Sequence, residues 1–411
     1  MLSVLMTGFH TPNQGGETDF FAGRMSHHSE SLCGALPPPS APIIFVTSEA
    51  DLREQAYQAP SGTTIMIQAG TYNMGGFLHI INSNITLRGE TGDYDDVILD
   101  FGGMENGHFG ILLDADDVTI ADLTIRNAHD HGISIQGYDR PLLYNLHIQD
   151  IGDQLVKVNP GGNGSEDGLL ACSTLEYSTH APDSYTNGIS AHDAHRWVIR
   201  DNKWYRIRGP ADQTGPTILF WSGSSDTIVE RNLLVDCYRG IAFGNPSHAG
   251  IDHTGGFVRN NMIYSSLPHD VAIEMTRAQG WLVAFNSALL LAPEVGLTWG
   301  MEARFPESEG MFANNLLNME IWNNRDGADG GMVSNIDHAQ ASWFINPSYG
   351  DLHIRPNVTG VIDKASSSPG IEDDYDGDSR PWGAAADIGA DEVTVPATPP
   401  NHLHLPALLV F

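Results

Sequence analysis

From residue 118 to residue 318 the chain alternates short apolar strands with turn-forming residues, and one strand type recurs. It reads VTIADLTI at 118–125, PLLYNLHI at 141–148, LLACSTLEY at 169–177, WVIRDNKWY at 197–205 and TIVERNLLV at 227–235. It continues as GFVRNNMIY at 256–264, WLVAFNSAL at 281–289 and GMFANNLLN at 310–318. Ile120, Leu143, Leu170, Ile199, Val229, Val258, Val283 and Phe312 align as anchors, in steps of 23 to 30 residues. Three residues after the anchor, the last five copies carry Asn202, Asn232, Asn261, Asn286 and Asn315. A second strand precedes each copy after the first: GISIQG at 132–137, LVKVN at 155–159, GISAHD at 188–193, TILFW at 217–221, GIAFG at 240–244, AIEMT at 272–276 and GMEARF at 300–305. No helical period of 3.6 runs through the region.

One such coil cannot bury its own apolar side chains. Stacked coils pair their strands in parallel at about 4.8 Å and close a continuous apolar column. An Asn repeated at one corner predicts a hydrogen-bonded ladder that satisfies the bent backbone. A leucine-rich solenoid lacks support, because periodic Leu and convex helices are missing. Propeller blades need longer repeats of antiparallel strands. The pattern therefore predicts an all-β solenoid of parallel strands.

Both ends look capped. Ser48 and Asp51 have capping-box spacing and predict a short helix that ends before Pro60-Ser61-Gly62. A strand at Thr63–Ile67 follows, then Ala69-Gly70-Thr71-Tyr72 and SNITLRG at 83–89. Here the chain resembles the right-handed parallel β-helix proteins of the pectate-lyase-like superfamily, in which a helix plugs the open end. DDYDGDSRPWGAAADIGADE at 373–392 resembles the ending of many bacterial surface and secreted β-helix proteins. The resemblance implies a β-helix domain over 42–392, a poorly ordered leader at 1–41, a tail at 393–411 and a secreted or cell-surface location.

Alternation assigns faces to the second strands. With Ile133/Ile135, Val156/Val158, Ile189/Ala191, Ile218/Phe220, Ile241/Phe243, Ile273/Met275 and Met301/Ala303 inward, two outward columns result. One is Ser134, Lys157, Ser190, Leu219, Ala242, Glu274, Glu302. The other is Gln136, Asn159, His192, Trp221, Gly244, Thr276, Arg304. A slip of one residue would turn any row inside out.

Composition narrows the function. The 411 residues are 41% hydrophobic, enough for a core, and carry a formal charge of −31 from 20 basic and 51 acidic side chains. That balance excludes nonspecific nucleic-acid binding, which needs a basic footprint. It also means that a polyanion needs a local positive site. No segment has the length and apolarity of a membrane span. The first residues have no basic n-region and make a poor secretory signal. Three Cys, at 33, 172 and 237, supply neither a disulfide framework nor zinc spacing.

Lys157 is one of only three lysines and sits in mid-strand, where Lys is disfavoured without a reason. It reads as a base, as a cation for a substrate carboxylate, or as a strand residue paired with an acid. His192 reads as a general base or as a turn hydrogen bond, and Trp221 as a sugar-stacking surface. Insertions at 159–168 and 178–186 leave the stack beside them, the second flanked by Tyr177 and Tyr185. Glu274 and Glu302, with Arg304, read as a calcium site or as a buttressing ion pair. Asp373, Asp374, Asp376 and Asp378 read as a solvated acidic turn rather than a calcium loop.

The resemblance implies a polysaccharide partner in an outer groove and a monomer. Its most concrete form is a uronate polysaccharide lyase. Lys157 then neutralises the carboxylate, helped by Asn159 or Ca²⁺. His192 is the base, Tyr185 the acid, and Gln136, Asn159, Trp221 and Arg304 bind substrate. Lyases of this fold pair the strand Lys with an Arg on the next coil, where this chain has His192. A glycoside hydrolase or epimerase, or a noncatalytic polysaccharide-binding surface protein, remains open at this point.

Overall fold

The computed structural model describes residues 32–39, 42–366 and 370–394. Its strands form two parallel sheets, one of ten strands and one of 24, and a two-stranded antiparallel pair. The ten-stranded sheet runs from Leu78–Ile80 to Glu320–Arg325, each strand beside that of the next coil. This is a parallel β-helix.

The anchors pair as their alignment predicts, from Ile120 with Leu143 through to Val283 with Phe312. The inward rows Val156/Val158, Ile189/Ala191 and Ile218/Phe220 are buried in one continuous core. The Asn ladder is present. Asn202, Asn232, Asn261 and Asn286 each donate from Nδ2 to the Oδ1 of the next Asn, at 2.9–3.1 Å. Each also gives Nδ2 to a carbonyl of the coil behind it. Asn335 extends the ladder at one end and Ser173 at the other. The residue before each of these five asparagines, Asp201 to Asn314, has positive φ. The ladder therefore satisfies backbone where the chain turns a left-handed corner.

The helix Glu49–Gln58 is capped by Ser48, whose Oγ accepts from Asp51 N at 3.2 Å. It buries Leu52 and Ala56 in the main core, closing the first coil. The C-terminal end differs from the expected cap. Phe344, Leu352, Ile354, Ile388 and Ala390 pack on Met262, Tyr264, Leu289 and Leu316 of the larger sheet. The neighbours of these four, Ile263, Leu290 and Leu317, point into the main core. So the segment covers the flank of the solenoid. Asp374 is its organiser and is fully buried, where a solvated turn was expected. It accepts backbone N–H bonds from Asp376, Asp378 and Glu392.

Residues 32–39, placed in the leader by the sequence, also lie on the larger sheet. Cys33 is bonded to Cys172, so the three cysteines do supply one disulfide, and Cys237 is free and buried. A lone disulfide across 139 residues has no sequence signature, because pairing depends on where the fold brings the chain. Tyr144 donates to Gly34 O and Arg88 to Pro37 O. Most of the leader and the tail beyond residue 394 lie outside the described residues. Among those described, no helix is long and apolar enough to cross a membrane.

Candidate active site

The register of the ten-stranded sheet matches the outward columns. Lys157 pairs with Ser134 on one side and Ser190 on the other. Asn159 pairs with Gln136, and His192 with Trp221. Lys157 is only 5% exposed, and its Nζ lies 3.0 Å from His192 Nε2 and 3.4 Å from Ser190 Oγ. An ammonium has no acceptor, so it donates to the imidazole. Trp221 donates from Nε1 to the same Ser190 Oγ at 3.3 Å and meets the His192 ring edge to face at 4.4 Å. The turn after residue 244 adds His248, whose ring lies 4.7 Å from Trp221 and is held by Asp252.

The insertion at 178–186 builds a wall. It places Tyr185, 54% exposed, with its ring 5.9 Å from Lys157 Nζ. Gln154 ties the wall down, donating to Tyr185 O at 2.8 Å and to Asp153 Oδ1 at 2.6 Å. Tyr177 is buried beneath it, donating to Ile151 O and Asp153 O. On the other side Gln136 donates to Ser134 Oγ, and Asn159 reaches both.

Burial sets the protonation states. It pushes Lys157 down to about 8 against the opposing charge of Asp153. It pushes His192 down to about 4, with help from Lys157 and His248. His131 falls to about 4 for the same reasons, burial and then Lys157. Asp153 rises to about 7 by burial, with Lys157 opposing. Tyr185 is raised by burial and by Asp153, so its phenol keeps its proton. Near neutral pH the site thus holds a cationic Lys157, a neutral His192 and a phenol.

No protein-family model and no curated protein matches the chain. Solved structures do. Pectate lyase Pel9A superposes with a TM-score of 0.51 over 86% of this chain and 96% of its own, at 11% identity. An alginate lyase from Paenibacillus sp. str. FPU-7 gives 0.48 over 73% and 99%, at 17% identity. PfbA, a surface adhesin of Streptococcus pneumoniae, gives 0.47 over 70% and 86%, at 12% identity. The chain has the pectate-lyase-like β-helix fold. At 11% identity the likeness gives the fold alone, so function has to be argued from the site.

Along this β-helix, Glu274 pairs with Glu302 on neighbouring rungs, as the columns predict. Their cations are not the expected Arg304. Glu274 is bound by Arg239 and Thr276, and Glu302 by Arg325 at 2.6 Å. Arg304 instead donates to Asp326 at 2.6 Å. The register shifts between Glu302 and Arg304: Trp322 pairs with Glu302 and Arg325 with Arg304, and the Arg325 side chain reaches across to Glu302. With a guanidinium on each carboxylate, Glu274 and Glu302 do not fit a calcium ion. Elsewhere, His353, Asp376 and Asp391 bring ligand atoms within 4.8 Å of one another. That group lies on the C-terminal segment, and His353 is bonded to Asp351 and Asp376.

The sequence reading did not single out Asp153, His131, His248, Arg239 or Arg325. The first three sit at coil corners or in a turn, where alternation no longer assigns a face, and Arg239 opens the strand Arg239–Phe243.

Proposed function

We propose that this β-helix is a polysaccharide lyase, cleaving a uronate-containing polymer by β-elimination in the groove of its ten-stranded sheet. The observation that carries the reading is the buried mid-strand Lys157, 3.0 Å from a neutral His192 and walled by Tyr185. The fold shared with pectate lyase Pel9A supports it.

Elimination needs a base for the proton on C5, relief of the adjacent carboxylate charge and a proton for the leaving oxygen. The role of base expected of His192 passes to Lys157. A base works best when its pKa lies near the operating pH. An imidazole held at about 4 is a weak base, whereas Lys157 at about 8 gives a strong one once neutral. At pH 7 about a tenth of the molecules carry that neutral amine. His192 then positions Nζ by accepting one of its N–H groups. The amides of Asn159 and Gln136, one rung apart, hydrogen-bond the sugar carboxylate. Tyr185, protonated and at the wall, donates to the leaving oxygen. Trp221 offers a stacking face in the next coil.

Glycoside hydrolysis needs two carboxylates free to act. The stacked pair of this sheet, Glu274 and Glu302, is bound by arginines, which disfavours that alternative. The test is absorbance near 235 nm, which reports the unsaturated uronate, on a panel of uronate polymers. A rise that Lys157→Ala removes supports a lyase. A flat trace on every polymer rejects the reading for that panel.

A further inference from the structure

Beyond Lys157, the same face of the sheet carries a cavity of about 430 Å³. Five rungs separate Lys157 from Glu302 along one column, about 24 Å at 4.8 Å per rung. Only a polymer of several units spans both places. The proposed lyase chemistry uses none of the cavity.

Its walls have an unusual charge arrangement. Three arginines line it, and each already holds a carboxylate. Arg239 is bound to Glu274 and lies 3.2 Å from Asp270. Arg325 is bound to Glu302, and Arg304 to Asp326. Glu294 adds a further acid, which accepts from Tyr238 at 2.8 Å. A ligand carboxylate arriving here meets no unpaired guanidinium and a surplus of negative oxygens. Burial and the charge of Glu274 already raise Glu302, the sign of a site crowded with anions.

The same walls suit hydroxyl groups. Carboxylate oxygens are acceptors only and bind O–H donors well. Trp299 lines the cavity, and its buried Nε1 has no hydrogen-bond partner. Its ring stacks on Trp322 at 4.0 Å. Trp322 is 40% exposed, leaving an aromatic surface for a sugar ring. Trp299 in the lining, stacked on the exposed Trp322, and several acceptors around a cavity of this size make a binding site for a small polar ring.

We propose that this cavity is a second carbohydrate subsite and that it binds a neutral, hydroxyl-rich sugar. Combined with the lyase reading, on which this second step rests, it assigns the substrate class. The substrate is a mixed polymer, with a uronate at Lys157 and neutral sugars toward the C-terminal coils.

The test is calorimetric titration of the full chain with neutral hexasaccharides built from glucose, mannose or xylose, and with a homouronate hexasaccharide. Wild type, Trp322→Ala, Glu294→Gln and Lys157→Ala are compared, with circular dichroism to confirm folding. The expected result is that a neutral hexasaccharide binds, that W322A weakens it at least tenfold and E294Q several-fold, and that K157A leaves it unchanged. Absence of neutral-sugar binding overturns the proposal. So does binding that both W322A and E294Q leave unchanged, or homouronate binding as tight as neutral and equally sensitive to W322A. Neutral-sugar binding of the expected kind, with no 235 nm product from any polymer, upholds the subsite and removes only the lyase.

Discussion

Lys157 Nζ lies 3.0 Å from His192 Nε2, on neighbouring strands of one sheet, with the lysine almost fully buried. Two groups that both titrate as cations are thus held in contact. Burial, and the charge of Lys157 acting on the imidazole, leave a single positive charge on the pair near neutral pH, and it rests on the lysine. A structural lysine on a strand would point its ammonium to water or to a carboxylate. This one is aimed at a base.

The first consequence concerns the proton donor. Tyr185→Phe removes one oxygen from a half-exposed side chain and leaves the wall in place. Turnover is expected to fall by about 10²- to 10⁴-fold, the usual range for a general acid. The melting temperature should stay within a degree or two. Initial rates at 235 nm and a thermal melt on the same sample check both.

The pH profile follows from Lys157. Its amine must be neutral to act, so kcat/KM should rise with pH up to about 8. Asp153 opposes the effect of burial on Lys157. Asp153→Asn should therefore move the rising limb to lower pH. A limb that stays in place, or moves to higher pH, contradicts this account of the lysine.

Stability should fall at both ends of the pH scale, for opposite reasons. Burial holds His253 down to about 3 in the folded chain, and His131 and His192 at about 4, against about 6.5 when unfolded. The unfolded chain therefore takes up protons first, and stability is lost as pH drops from 6.5 toward 3. His353 behaves in reverse. Burial works against its cation, but hydrogen bonds to Asp376 and Asp351 and the charge of Asp391 outweigh it and raise it to about 10. Its contribution is full below 6.5 and lost as pH rises through 10. Melting temperatures of His353→Gln and wild type should differ by a few degrees at pH 6 and converge above pH 10.

The ladder makes a separate prediction. Asn261 is fully buried and bonded to Asn232 and Asn286. Asn261→Ala orphans the N–H of Asn232 and the carbonyl of Val229, among others. At about 1–3 kcal/mol for each buried unpaired group, a loss of about 3–5 kcal/mol is expected. The denaturation midpoint measures it, and an equally buried but ladder-free site such as Ser165 serves as control.

Much of this architecture was legible in the sequence, because a parallel solenoid repeats one packing problem. Each coil must present the same inward pair, so Val156/Val158 and Ile189/Ala191 fix the register that brings Lys157 beside Ser190. The ladder was legible because five successive coils place Asn at the same left-handed corner, where each one satisfies the next. The rest was hidden where repetition stops. Asp153 and His131 precede their strands, at corners where Leu155 turns into the core instead of outward. Arg325 reaches Glu302 from its place opposite Arg304, past a shift in the register. His248 arrives on a turn, and the disulfide of Cys33 with Cys172 joins segments that no local pattern relates.

The most direct test of the central claim is the 235 nm assay, run at pH 8 on uronate homopolymers and mixed uronate polymers with wild type and Lys157→Ala. Rising absorbance with wild type on at least one polymer, reduced at least a thousandfold in a folded K157A protein, is the predicted result. Absorbance that rises equally in both proteins, or in neither on any polymer, contradicts it.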